Sequence, residues 1–296
     1  MADAQNNAAA VQKNLALANK EMARLHRYDP AADAAVTTAI LTRFASQIPV
    51  TATAPTTPVP VFVIGLPRSG TTLAEAMLGA HPHVTPFGEL GTAGFVLRDT
   101  IENDLPFATQ DIAAFVTEDQ RLLPDLPKGT RAYIDKMPEN YRLVGFLKTA
   151  YPQARIIHIK RDPRDIALSM WKSHFSGSVL AYTYRLDWMA QKFNLYAQMM
   201  AHWHQVLPGA ILDISYEDMV RAPEDISKRM AAFCDLDWTP EMARPDQSQN
   251  PVLTLSATQL RQPVHTGSMG NWQKNADMLA EFISGLDPAL WPESAN

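Results

Sequence analysis

The sequence predicts an α/β fold: a mostly parallel, P-loop-like sheet covered by helices and preceded by an N-terminal helical arm. Three observations predict it. Short apolar runs, Val61-Phe62-Val63-Ile64, Ile156-Ile157-His158-Ile159 and Ile211-Leu212-Asp213-Ile214, read as buried strands. Segments of helical pattern follow each run, and strands alternating with helices imply a parallel sheet covered on both faces. A Gly-rich turn joins the first strand to its helix, where a phosphate-binding loop would lie.

Length and composition agree. The chain has 296 residues, 46 % apolar and 19 % charged, enough for a substantial core and against gross disorder. A net charge of −5 argues against a general nucleic-acid binder. The single cysteine, Cys234, excludes a disulfide framework and a thiolate metal site, and its apolar surroundings read as a buried helix face. No stretch reaches the ~20 apolar residues of a membrane span. No signal-peptide pattern opens the chain, so a cytoplasmic location is expected.

Residues 5–28, rich in Ala, Leu, Lys and Met, predict a helix that Asp29-Pro30 ends, and 31–46 predict a second. With the Pro- and Thr-rich stretch over 49–60, they divide the chain into a helical arm (1–48) and a catalytic domain (60–296). Within that domain a helix is expected over Thr71–Gly79 and a strand near 131–135. A helix from Pro138 ends before Tyr151-Pro152, and others cover 163–176, 182–206 and 222–234. In the second of these, Leu186, Met189, Phe193, Tyr196, Met200 and Trp203 recur at helical spacing, a core-facing stripe.

The loop Gly65-Leu66-Pro67-Arg68-Ser69-Gly70-Thr71-Thr72 follows a strand and opens a helix, where backbone N–H groups and the helix dipole attract an anion. Its glycine spacing matches a nucleotide-triphosphatase loop, but Thr71 stands where the phosphate-reaching Lys belongs. The loop's cation is Arg68, inside the turn. A second basic pair, Lys160-Arg161, ends the Ile156–Ile159 strand, at the sheet edge where ligands bind in open α/β folds. Asp162, Pro163 and Asp165 are explained as an ordinary helix start. Ser169 lies eight residues after Arg161, about two helical turns on, within reach of the same anion. Two anion sites suit a nucleotide phosphorylated at both its 5′ and 3′ positions. Tyr216, after the Ile211–Ile214 strand, either faces an adenine or packs in the core.

Residues 62–73 resemble the 5′-phosphosulfate loop of sulfotransferases that use PAPS (3′-phosphoadenosine 5′-phosphosulfate). Residues 156–169 resemble their 3′-phosphate motif, with Arg161 and Ser169 at the matching positions. The pattern is most similar to the tyrosylprotein-sulfotransferase-like branch and its bacterial relatives, where the loop cation is Arg. The resemblance covers about 60–275. It implies PAPS as donor, adenosine 3′,5′-bisphosphate as product and no metal. Pro67, Arg68, Ser69, Gly70, Thr71 and Thr72 would hold the 5′ end. The resemblance also implies that Glu89, in the Gly88-Glu89 step, is the catalytic base and that Lys136 contacts the transferring group. On the residues alone, Glu89 reads as an ordinary loop carboxylate, and Lys136 reads also as a solvated lysine before a helix. His81 and His83 are rival bases, although capping or packing suits both. Ser256, Arg261-Gln262-Pro263-Val264 and Ser268-Met269-Gly270-Asn271-Trp272 resemble the nucleotide-covering segment, with fewer basic residues around Trp272 than is usual.

The implied reaction is in-line transfer of a sulfuryl group to an acceptor hydroxyl or amine. Tyrosine, carbohydrate, lipid and small-molecule acceptors all remain open. Residues 91–130 are expected to shape the acceptor pocket, with Phe95, Phe107 and Phe115 lining it or packing in the core. Two other readings stand beside this one: a nucleotide kinase on the same fold, and a non-catalytic nucleotide-binding scaffold.

Overall fold

The computed structural model describes residues 8–48, 58–175, 177–247 and 266–292. In chain order the helices and strands are α1 (Ala8–Leu25), α2 (Pro30–Arg43), β1 (Val59–Gly65), α3 (Thr71–Gly79), β2 (Val84–Pro86), α4 (Thr92–Val96), α5 (Arg98–Glu102), α6 (Thr109–Leu122), β3 (Ala132–Asp135), α7 (Val144–Ala150), β4 (Arg155–Lys160), α8 (Pro163–Trp171), α9 (Leu186–Val206), β5 (Ile211–Ser215), α10 (Tyr216–Arg221), α11 (Pro223–Phe233) and α12 (Ala280–Gly285). They fall into two compact units: Val36–Arg161 with Met199–Thr266, and Met1–Ala35 with Asp162–Gln198 and Gly267–Asn296.

The first unit holds a five-stranded sheet in the order β2-β3-β1-β4-β5. All four pairings are parallel. β1 is central and buried from Pro60 to Gly65, as expected of an apolar run covered on both faces. One side of the sheet carries a core of Val61, Val63, Ile157, Ile159 and Ile214 with Met77 and Leu78 of α3 and Met230 of α11. Because β2 and β3 lie to one side of β1 and β4 and β5 to the other, the chain reverses direction across β1. That reversal opens a crevice outside the carboxyl ends of the strands.

The strands around 61–64, 132–135, 156–159 and 211–214 stand as expected, and Cys234 is buried. Three details differ. Pro30 opens α2 rather than only ending α1, as proline's fixed φ suits a first helical turn. The segment from Pro138 begins as a 3-10 turn, Pro138–Leu143, before α7. The α8 helix stops at Trp171, short of 176. Beyond it the Phe175 backbone is engaged by the Tyr184 hydroxyl, which donates to its carbonyl at 2.7 Å and accepts its N–H at 3.2 Å. The six stripe residues of α9 are buried.

Within the second unit, Asn19 of α1 donates to the Trp171 carbonyl at 2.9 Å. Lys192 of α9 meets Asp33 of α2 in a buried ion pair at 3.0 Å. No helix among the described residues is long and apolar enough to cross a membrane.

Candidate active site

Each strand of the sheet delivers one of the expected side chains just past its carboxyl end. Arg68 follows β1, Glu89 follows β2, Lys136 follows β3, Arg161 follows β4 and Tyr216 follows β5.

The loop after β1 is built on two glycines. Gly65 has φ +154°, and a Cβ there would lie 2.8 Å from both the Ile159 carbonyl and Ser69 Oγ. Gly70, φ +107°, caps α3, and its carbonyl accepts the N–H groups of Leu73 and Ala74. Arg68 itself has φ 72°, a strained setting for a non-glycine residue, which holds its side chain within the turn. Burial, and then the neighbouring Arg161 guanidinium, push the Arg68 pKa below its ordinary value, with Tyr216 opposing. Arg161 Nη1 donates to the Arg68 carbonyl at 2.9 Å, so two cations are held together. Among the described residues, Ser69 Oγ is fully buried and makes no hydrogen bond. Two guanidinium groups held close together and a buried orphan hydroxyl at a helix start make this end of the sheet a donor-rich, positively charged surface suited to anionic groups.

Tyr216 packs half-buried against the core, one of its two expected settings. Its ring edge lies where a Gly70 Cβ would be (2.5 Å), and the Arg161 guanidinium rests 4.4 Å from its ring centroid. The tyrosine therefore braces the phosphate loop and orients Arg161.

Across β1, Lys136 Nζ donates to Glu89 Oε1 at 2.6 Å. Lys136 is fully buried, whereas the Glu89 side chain is 47 % exposed. The lysine is thus not the solvated residue the sequence also allowed. Gly88 (φ +69°) is fixed from two sides. Its carbonyl accepts the Lys136 N–H at 2.9 Å, and its N–H donates to Glu75 Oε1 at 2.8 Å. The Leu90 N–H faces Asp135, whose carboxylate also accepts Asn140 Nδ2 at 2.8 Å. Buried carboxyl groups therefore flank Glu89: Glu75 holds the Gly88 N–H, and Asp135 faces the Leu90 N–H.

Glu75 and Asp135 were not anticipated from sequence, although Glu75 interrupts the apolar run Leu73-Ala74 … Met77-Leu78 and Asp135 ends a buried strand. Burial raises both carboxyl pKa values, that of Asp135 to about 7. The folded protein therefore holds a proton on Asp135 that the unfolded chain releases near pH 4. Stability from this group is present at acid pH and is lost as pH rises through 7. Asp135→Asn is expected to be more stable than wild type at pH 8, with the two converging by pH 4. Thermal melting across that range measures the gap, and a gap that widens toward acid would contradict it.

His81 is buried in the turn after α3, and its Nδ1 accepts the His83 N–H at 3.1 Å. The ring is packed inside its own turn, and burial holds its pKa low. Phe115 is buried and edge-on to Phe107, which also meets Phe146. Phe115 is core, Phe107 is half-buried against it, and Phe95 is exposed.

In the second unit, Ser169 lies on α8, where its carbonyl accepts Ser173 Oγ. Asp162 caps this helix through Arg164 N. Asp165, expected only as part of the helix start, instead accepts the N–H groups of Gly270 (2.6 Å) and Trp272 (3.0 Å). The Trp272 ring lies 3.8 Å from the Arg164 guanidinium, so the Gly270–Trp272 element is docked on α8. Ser256 and residues 261–264 lie outside the described residues.

Residues 60–240 match the model of the Sulfotransferase family. An uncharacterized protein of Aquifex aeolicus is 31 % identical over 248 residues, 77 % of this chain and 32 % of that protein. Protein-tyrosine sulfotransferase A of Caenorhabditis elegans is 26 % identical over 238 residues, 72 % of this chain and 60 % of that protein. The chain thus spans less than two thirds of either relative. Among solved structures, the sulfotransferase domain of the Synechococcus PCC 7002 olefin synthase superposes with a TM-score of 0.53 at 18 % identity, covering 79 % of this chain and 96 % of that one, a likeness of fold. The family match takes in all five strands from Pro60 onward together with the loops that follow β1 and β4, and the chain belongs to the sulfotransferase family.

Proposed function

We propose that the chain transfers a sulfuryl group from PAPS to an acceptor hydroxyl or amine. The observation that carries this reading is the convergence of Arg68 and Arg161 over a loop with a buried, unpartnered Ser69 hydroxyl, on the same sheet edge as the Lys136–Glu89 pair. Arg68, Ser69 and the backbone of Pro67–Thr72 take the 5′-phosphosulfate, and Arg161 takes the 3′-phosphate. Ser169, Trp272 and Ser256 complete the donor contacts on motif resemblance alone.

In the reaction the acceptor oxygen or nitrogen bonds to sulfur as the bond from sulfur to the 5′-phosphate oxygen breaks. Glu89 takes the acceptor proton. Lys136, held at Glu89 in the resting pair, turns to the sulfuryl and bridging oxygens as charge develops there. The products are a sulfated acceptor and adenosine 3′,5′-bisphosphate. As drawn, the charge is met by Arg68 and Lys136, and no step uses a metal. Positioning and electrostatics dominate, as in phosphoryl transfer.

Calorimetric binding of the bisphosphate, set against ATP with Mg²⁺, tests the reading. Metal-independent binding that weakens about 10- to 100-fold in both Arg68→Ala and Arg161→Ala is the expected result, as loss of a charge-assisted contact gives. Preference for ATP, or indifference to both arginines, returns the loop to the kinase and scaffold readings.

A further inference from the structure

His158 of β4 and Asp213 of β5 are register partners on adjacent parallel strands, so their side chains emerge on one face of the sheet. His204 comes to the same place from the last turn of α9. His158 Nδ1 lies 2.9 Å from Asp213 Oδ1, and His204 Nε2 lies 3.2 Å from that same oxygen. All three potential ligand atoms are within 4.8 Å of one another. We propose that this triad is a binding site for a divalent transition-metal ion of the zinc class.

Two imidazoles and a carboxylate are the donors such an ion selects. Bonds of about 2.0–2.2 Å in tetrahedral array place ligand atoms roughly 3.3–3.6 Å apart. The two imidazole nitrogens approach Oδ1 to nearly that separation before any ion enters. The supports are rigid: neighbouring strands of the sheet and the end of a 21-residue helix. Burial is graded from 5 % exposure at His158 to 36 % at Asp213 and 40 % at His204. An ion therefore reaches the site from solvent and keeps water in its remaining position.

The opposing charge is Lys160, whose Nζ stands 3.8 Å from Oδ2, the carboxylate oxygen not shared by the imidazoles. Arg229 reaches only the Asp213 backbone carbonyl, at 3.5 Å. Oδ1 thus remains the ligand. To accept an ion, each imidazole carries its proton on the other ring nitrogen, so the ion replaces the hydrogen bonds that now converge on Oδ1. Bound there, it ties α9 to β4 and β5, and β4 leads directly to Arg161. The proposal stands independently of sulfuryl transfer.

The test uses the whole chain, stripped with EDTA and titrated with zinc chloride by calorimetry, with thermal melting in parallel. One zinc per chain is expected, with a rise in Tm, and cobalt(II) is expected to give the visible bands of a four-coordinate ion. His204→Ala, at a surface position that leaves the core intact, and Asp213→Asn should each weaken binding at least about 10-fold, as loss of a ligand predicts. His174→Ala, which removes an exposed histidine elsewhere, should bind as wild type does. Absence of zinc binding by the wild type, or binding that persists undiminished in both His204→Ala and Asp213→Asn, overturns the proposal.

Discussion

Lys136→Met is expected to lower turnover by about 10²- to 10³-fold, the cost of removing one preorganised charge from a developing anion, while leaving bisphosphate affinity nearly unchanged. The side chain is fully buried, and its ammonium meets Glu89 at 2.6 Å. A buried ammonium is costly unless paired, so the fold supports it with Glu89 in contact and with the charge of nearby Glu75. Methionine keeps the length and apolar stem and removes only the charge. Glu89 then turns to solvent, which its half-exposed position permits. Glu89→Gln removes the proton acceptor instead, with an expected loss of roughly 10²- to 10⁴-fold. If the two act as one unit, the double variant loses little more than the worse single variant. Bisphosphate release from PAPS in the presence of a working acceptor gives the rates, and calorimetry gives the binding. Unchanged turnover in either single variant would move the chemistry away from that residue.

Much of this arrangement was legible in the sequence because it is local. A strand, a glycine turn and a helix start occupy residues 61–79 without interruption, and in 156–169 a strand passes through a basic pair and an Asp-Pro helix start with no glycine. Apolar runs of four residues mark the buried strands plainly, and the α9 stripe marks the face that packs inward. β2 escaped notice because three residues, Val84–Pro86, are too few to show a period, and its pairing with β3 is set by tertiary contact. The 91–130 segment gave no anchor, and α4 to α6 form there from weak local preferences.

The missed site residues share one physical character. Glu75 and Asp165 hold backbone N–H groups distant in sequence, Gly88 and Gly270 with Trp272, and Asp135 faces the distant Leu90 N–H. A carboxylate that serves a remote amide leaves no local spacing to read. What remains is incongruity, an acid inside an apolar helix run or at the end of a buried strand. Asp165 lacked even that sign, because a helix start explains an aspartate without further cause.

Gly70→Ala is expected to destabilise the fold by about 2–5 kcal/mol and to abolish donor binding, through two separable costs. The backbone at Gly70 has φ +107°, which an L side chain rarely adopts, and a Cβ there would lie 2.5 Å from Tyr216 Cδ2. The ring cannot simply withdraw, since Arg161 rests on its face at 4.4 Å and its other side packs against the core. Gly70 also caps α3, so any shift moves the helix start where the donor phosphate is proposed to bind. Gly88→Ala provides the comparison. Its φ of +69° carries the conformational cost, but nothing lies within 4 Å of a Cβ there, and a loss of only about 1 kcal/mol follows. Denaturant midpoints of the two variants separate steric from conformational cost. Adding Tyr216→Ala to Gly70→Ala should recover the steric part and no more. Equal losses at the two glycines would mean that Tyr216 gives way freely, and then it could not be the brace that sets Arg161 over the phosphate loop.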